Sequence, residues 1–382
     1  MPVESGNARP PRRVLMLVNQ LTGGGTERNV KMLCRHADRS RYAPEVWTLI
    51  PDREGSGDEN TIGVPIRCLQ RKNIYDPRFA LRTAWDISRA QVDVIHVFLP
   101  AIAFYAALAK KLFGTRAPIV YSEATDMPAQ GWAGVRHRWN LRQFTAFAAN
   151  SSGSRRHLQH EGVPEDKIAV IPNGHDVSIF QPPADERQRR RGMIRSQLGL
   201  ADTEVVAITV GRLIPTKRVN DGIDALAMLS EQHPNLRLLV VGIGAEQAAL
   251  VNQVSRLGLS NRVLFLGKRH DVPHLLQAVD LCLFPSEVEG LPNSVIEAAL
   301  SGLPIVACDI PGIWDIVGPG HVDWVVPCRQ PTRLAAAVAK ILTHRADAAE
   351  HAHEIQQRAM TKFSIRDVVR QWCNYYDRIL SP

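Results

Sequence analysis

Two α/β domains in tandem, each built on a parallel sheet, are the fold this sequence predicts. Three observations carry the prediction. The chain has 382 residues, more than a single hydrophobic core usually serves. Short β-rich apolar runs alternate with helical segments, and they do so twice. A proline-containing, highly charged interruption separates the two series.

The first series opens with VLMLV (14–18), a run apolar enough for a strand buried on both faces. It feeds Gly23-Gly24-Gly25 and then a helix predicted over 26–36. Further strands are expected at 45–50 (EVWTLI), 92–98 (VDVIHVF) and 118–122 (PIVYS), with an apolar helix over 102–113. The interruption FQPPADERQRRR begins at Phe180, reads as a linker leading into the second domain's first helix, and sets the expected domains at 1–180 and 181–364. The second series starts at VVAITV (205–210). Its next helix places Val219, Ile223, Leu226 and Ser230 on one stripe, the spacing of a half-buried helix. Strands follow at 236–241, 262–266, 281–284 and 304–307. The segment IRDVVRQWCNYYDRIL (365–380) is an amphipathic helix expected to pack back on the first domain. In sheets of this kind, ligands sit at the carboxyl ends of the strands.

Composition narrows the function classes. At 45% hydrophobic and 22% charged residues the chain reads as a soluble globular protein. No apolar run approaches the ~20 residues that span a bilayer. The N-terminal stretch MPVESGNARPPRR lacks the apolar core of a secretory signal. Six cysteines without a CxxC pair argue against a disulfide framework or a zinc site, so a cytoplasmic location is expected. The net charge of +8 lies wholly in the first 190 residues, which hold 27 Lys/Arg against 19 Asp/Glu. Clusters stand at Arg71-Lys72, Lys110-Lys111, Arg136-His137-Arg138 and Arg155-Arg156. Any one of them is an ordinary solvated patch. Together they point to an anionic partner such as lipid headgroups or a lipid pyrophosphate, and to a peripheral seat at the inner face of the cytoplasmic membrane. No helix carries a dense basic run interleaved with aromatics, so nucleic acid is not an expected partner.

Three motifs carry chemistry. The loop GGGTER fits neither GxxxxGK[ST] nor GxGxxG. Its bare backbone lets amides approach an oxyanion at a helix N-terminus, but alone it is accounted for by a tight turn with Thr26 as N-cap. In the second series Gly211-Arg-Leu-Ile-Pro-Thr-Lys-Arg218 follows a strand, so Arg212 and Lys217 can aim two cations at a diphosphate. Taken singly, either could be a plain surface residue. The most specific segment is PSEVEGLPNSVIEAALSG (285–302), read as a loop and then a helix. Asn293 is its expected N-cap and Gly302 its stop. That reading puts Glu289 beside the helix mouth and Glu297 one turn inside. A helix N-terminus favours an anion between them, and a carboxylate can hold both hydroxyls of a ribose.

GGGTER, GRLIPTKR, PSEVEGLPNSVIEAALSGLPIVA and IPNGHDVSIFQP together resemble the family-four retaining glycosyltransferases of the GT-B fold. The resemblance runs from Val14 to the last helix. It implies two Rossmann-like parallel-sheet domains facing across a cleft, and transfer of a sugar from a nucleotide-diphosphate sugar to a lipid-linked or saccharide acceptor in cell-surface polysaccharide or glycoconjugate synthesis. By resemblance, Arg212 and Lys217 bind the donor diphosphate with Gly23, Gly24 and Gly25 completing its cage on domain closure, and Glu297 holds the ribose. Glu289 sits at the transferred sugar, with backbone amides offered by Gly290, Leu291, Pro292, Asn293 and Ser294 wherever an amide exists. Gly211, Gly242, Gly244, Gly267, Lys268 and Arg269 lie near the nucleotide. Relatives often carry a histidine where this chain has Glu123, so Glu123 is a catalytic candidate on the acceptor side, with Asp126 beside it. His96 matches a position where relatives often have histidine, and its place near a strand end favours a structural role. No Asp-x-Asp pair is present to bridge a metal, so fixed cations are expected to stabilise the leaving group, with no cofactor beyond the donor substrate. A sugar-nucleotide epimerase, a phosphorylase or a non-catalytic binding protein are the alternatives on the same fold.

Overall fold

The computed structural model describes residues 10–22, 24–51, 62–73, 76–124 and 131–381. The chain divides into two compact units, residues 1–174 with 365–382, and residues 175–364.

The first unit runs β1 (Arg12–Val18), α1 (Gly25–Arg35), β2 (Tyr42–Thr48), β3 (Ile66–Cys68), α2 (Pro77–Arg89), β4 (Val94–Val97), α3 (Pro100–Phe113) and β5 (Ile119–Glu123). It continues through α4 (Gly131–Leu141), β6 (Ala146–Ala149), α5 (Ser152–His160) and β7 (Ile168–Val170). The strands form one parallel sheet in the order β3-β2-β1-β4-β5-β6-β7. Alternation along β1 shows why the run had to be wholly apolar. Val14, Met16 and Val18 join a core with α1, while Leu15 and Leu17 join another with α2 and α3.

The second unit runs α6 (Ala184–Gln197), β8 (Val205–Val210), α7 (Val219–Met228), β9 (Leu236–Val241), α8 (Gln247–Arg256), β10 (Val263–Gly267) and α9 (Val272–Ala278). Then come β11 (Leu281–Phe284), α10 (Asn293–Leu300), β12 (Ile305–Cys308), α11 (Pro311–Val317), β13 (Val325–Val326), α12 (Pro331–Thr343) and α13 (Arg345–Lys362). Its parallel sheet has the order β10-β9-β8-β11-β12-β13. Strand order therefore reverses at β1/β4 in the first sheet and at β8/β11 in the second. Those reversals open the crevices in which doubly wound sheets bind ligands.

The last helix, α14 (Ile365–Leu380), belongs to the first unit. Val368, Val369, Trp372, Tyr375 and Tyr376 are buried on the same face as Val14 and Met16. Tyr375 Oη donates to the Phe147 carbonyl at 2.7 Å, and Asp377 accepts from Arg12 at 2.9 Å and also pairs with Arg41. The second unit is thus an insertion with adjacent ends: the His175 amide donates to the Phe363 carbonyl at 2.8 Å.

The boundary lies at Gly174/His175, ahead of the position expected from the prolines. Phe180, assigned to the first domain from sequence, is 1% exposed in the core of the second unit beside Ile194 and Leu275. The prolines lead into a helix as expected, with Pro183 as the cap residue of α6 and the charged run lying along that helix. Arg195 on α6 is fully buried, and its guanidinium donates to the carbonyls of Ala278, Ala201 and Glu204.

Candidate active site

Where β8 ends, its chain continues alongside the chain leaving β9. Gly211 N–H donates to the Val241 carbonyl at 2.9 Å, and Leu213 N–H to the Ile243 carbonyl at 3.0 Å. The contact admits no side chain. A Cβ at Gly242, which sits at φ +139°, would lie 1.8 Å from the Gly211 oxygen, and one at Gly244 would lie 2.1 Å from the Leu213 oxygen. These two glycines therefore hold the backbone that carries Arg212.

A short 3₁₀ turn, Pro215–Lys217, follows, and Arg218 then takes a left-handed conformation at φ +50°. A non-glycine residue there is disfavoured by about 1–2 kcal/mol. Its guanidinium makes a forked contact with the buried Asp221 at 3.0 and 2.8 Å, which holds the turn in place. Arg218 and Asp221 are the site residues that sequence reasoning missed. The available signal was an arginine followed three positions later by an aspartate at the start of a helix.

That turn is tied to the loop after β11. The Glu287 amide donates to the Thr216 carbonyl at 3.0 Å and Ser286 Oγ donates to it at 3.2 Å. As a result Lys217 Nζ and the Glu289 carboxylate form an ion pair. Burial, with the Arg212 guanidinium nearby, pushes the Lys217 ammonium down to about 8, while contact with Glu289 favours its charged form. Arg212 itself is exposed. Glu287 is not part of this cluster, because Arg329 holds it at 2.6 Å.

The loop delivers α10, whose first helical residue is Asn293. The expectation that Asn293 caps the helix is corrected: the cap residue is Pro292, and no side chain occupies the cap. The proline fixes the extended backbone that a cap needs and leaves Asn293 inside the first turn. Asn293 Oδ1 instead lies 3.3 Å from His175 Nε2. Gly290 is pressed by α11, since a Cβ at Gly312 would come within 2.3 Å of the Gly290 oxygen. Leu291 is buried, and Ser294 follows on the helix. Glu297 lies one turn inside α10, as expected, and its carboxylate is buried at 2% exposure. Gly267 ends β10, and its carbonyl accepts from the Gly242 amide at 2.8 Å. Lys268 is exposed, whereas Arg269 is committed to Asp271 through two bonds of 2.9 and 2.6 Å. Arg212, Lys217, Glu289, Glu297 and the 290–294 segment thus all come from the loops and helix that follow β8 and β11.

The first unit holds the rest. Helix α1 begins at Gly25 with Gly24 as its cap residue, so Thr26 lies in the first turn and is not the N-cap. Glu27 reaches back to accept the Gly24 amide at 2.9 Å, and a carboxylate thereby occupies the helix mouth. Gly23 and Asp126 lie outside the described residues. His96 is fully buried: Nδ1 lies 2.6 Å from Tyr376 Oη and Nε2 2.7 Å from Ser122 Oγ. Burial pushes this imidazole down to about 3, and both nitrogens are engaged within the fold. Glu123 ends β5 and is 3% exposed. It lines a small cavity with Thr26, Asn29, Phe98, Asn150 and Asn173. Its Oε1 accepts the Ala124 amide at 3.0 Å.

Comparison with known proteins decides the family. Residues 191–362 match the domain family described as glycosyl transferases group 1, and residues 23–179 match glycosyltransferase family 4. The chain belongs to the family-four glycosyltransferases. This glycosyltransferase is 26% identical to N-acetyl-alpha-D-glucosaminyl L-malate synthase of Bacillus anthracis, with 79% of each chain covered. It is 27% identical to the UDP-Gal:alpha-D-GlcNAc-diphosphoundecaprenol alpha-1,3-galactosyltransferase of Escherichia coli, over 65% of this chain and 66% of that one. In structure it resembles HepE of Anabaena, solved in complex with UDP, with a TM-score of 0.83 at 24% identity over 96% of this chain and all of that one. The glycosyltransferase therefore has the GT-B fold.

Proposed function

We propose that this glycosyltransferase moves a sugar from a nucleoside-diphosphate sugar to a saccharide or lipid-linked acceptor, with retention of configuration and with fixed cations in place of a metal at the diphosphate. The observation that carries the reading is the Lys217–Glu289 ion pair, flanked by the exposed Arg212, at the strand-order reversal of the second sheet. Departure of the diphosphate builds negative charge on phosphate oxygens and positive character on the sugar. Arg212 and Lys217 answer the first, and Glu289 answers the second, all within one preorganised cluster. An incoming diphosphate competes with Glu289 for Lys217, and its arrival turns the carboxylate toward the sugar. The uncapped N-terminus of α10 adds amides on the phosphate side, and Glu297 takes the ribose hydroxyls. UDP is the first nucleotide to test, because the Escherichia coli relative is named for UDP-Gal and HepE was solved with UDP.

Glu123, at the cavity in the first unit, is assigned to the acceptor side. A membrane-bound acceptor is favoured by the surface of α2 and α3. Leu81, Trp85 and Leu112 are exposed there among Arg82, Arg89 and Lys111, and the Arg89 guanidinium lies 4.4 Å over the Trp85 ring. Apolar groups among cations suit an anionic lipid interface. Among the described residues no helix is long and apolar enough to cross a membrane, so the contact proposed is peripheral.

The test is product analysis with a panel of UDP- and GDP-sugars and saccharide or polyprenyl-diphosphate acceptors, reading the anomeric configuration of the new linkage by NMR. An α-linked product from an α-linked donor supports the reading, and inversion or acceptor-independent rearrangement of the donor contradicts it.

A further inference from the structure

The donor reaction makes no use of two buried histidines in the first unit. Glu123 at the end of β5, His137 on α4 and His157 on α5 bring one carboxylate oxygen and two imidazole nitrogens within 4.8 Å of one another, and all three residues are buried. Their positions are 14 and 20 residues apart in sequence, with no metal-binding spacing, so only the packing of α4 and α5 against β5 assembles them.

The cluster is not a finished hydrogen-bond network. His137 Nε2 is buried with no hydrogen-bond partner, and it faces Glu123 Oε2 at 3.9 Å, too far for a bond. The His137 and His157 rings lie nearly parallel, 16° apart, with centroids separated by 6.4 Å. An orphaned buried nitrogen is costly, and a cation placed between these ligand atoms would give it a partner. The chemistry of the set also fits. Two imidazoles and one carboxylate form the His₂Glu combination that binds zinc with a further position open. Bonds of ~2.0–2.1 Å to a tetrahedral centre put ligand atoms ~3.3–3.4 Å apart, so rotamer-scale closure from the observed spread completes the site. Outer partners already orient the carboxylate: the Ala124 amide at 3.0 Å on one oxygen and Tyr121 Oη at 3.4 Å on the other.

We propose that Glu123, His137 and His157 bind one divalent transition-metal ion, zinc foremost, inside the first unit. The ion clamps α4 and α5 to the end of β5 and fixes the carboxylate that lines the acceptor-side cavity. It is separate from the donor diphosphate, which the second unit meets with Arg212 and Lys217.

The experiment is a titration of the EDTA-treated full chain with Zn²⁺ by calorimetry and with Co²⁺ by visible absorption. One ion per chain, a tetrahedral Co²⁺ spectrum and a rise in melting temperature are expected. The affinity should fall at least tenfold in His137→Gln and in His157→Gln. Binding no tighter than in the double variant His137→Gln/His157→Gln overturns the proposal. X-ray absorption of the zinc-loaded wild-type protein needs no variant: two imidazoles with oxygen support the site, whereas sulfur ligands or an all-oxygen shell overturn it. These readouts measure binding alone, so they stand or fall independently of the transfer reaction.

Discussion

Lys217 and Glu289, 72 positions apart in the chain, form an ion pair where the loops after β8 and β11 meet. Two groups proposed for different ends of the donor, its diphosphate and its sugar, are therefore coupled. Lys217→Ala and Glu289→Gln should each lower kcat/KM about 100-fold or more, on the scale of losing one transition-state contact. The double variant should lose about as much as the worse single one, because each partner's role depends on the other. Independent, multiplying losses in a double-mutant cycle would show that the pair does not act as a unit.

Gly242 and Gly244 make a sharper structural prediction. An added methyl at either position meets backbone oxygen, and backbone cannot swing aside as a side chain can. Gly242→Ala and Gly244→Ala should each destabilise the protein by roughly 1–3 kcal/mol, and each should weaken nucleotide binding by displacing Arg212. Denaturant midpoints and calorimetric affinities check both halves. An unchanged midpoint in Gly242→Ala would contradict the contact.

Acid should weaken the fold through its buried histidines. Burial lowers His96 to about 3 and His351 to about 4, the latter helped by His321, whose Nδ1 is 2.8 Å from His351 Nδ1. In the unfolded chain both protonate near pH ~6.5. Below that pH the unfolded state binds more protons, so stability is complete above ~6.5 and drains away toward pH 4 for His351 and pH 3 for His96. The slope is at most about 1.4 kcal/mol per pH unit for each histidine. Denaturant titrations between pH 7 and 4.5 should show it, and His351→Gln should flatten it. A pH-independent midpoint over that range would refute the assignment.

Much of the architecture was legible because periodicity and burial coincide. VVAITV is β8 end to end, and the run at 365–380 is α14. The short elements were not. β6 is AFAA and β3 is IRC, too short and too weakly β-branched to stand out, and α4 (GWAGVRHRWNL) carries no apolar stripe. Pro182-Pro183 announced the start of α6, but the unit boundary lies earlier at Gly174/His175, and only the burial of Phe180 in the second core reveals that. At the site, the motifs named Arg212, Lys217, Glu289 and Glu297. They could not show that Lys217 touches Glu289, which depends on β8 and β11 being neighbours. Nor could they show the left-handed turn at Arg218, since residue type alone does not fix φ.

The central claim is that the second unit, through Arg212 and Lys217, holds the nucleotide diphosphate. Calorimetric binding of UDP and GDP to the wild type, Arg212→Ala, Lys217→Ala and Glu123→Gln tests it most directly. The account predicts one nucleotide bound per chain, at least tenfold weaker in Arg212→Ala and Lys217→Ala, and within twofold of wild type in Glu123→Gln. Unchanged affinity in the two cation variants, or loss of binding in Glu123→Gln alone, would contradict it.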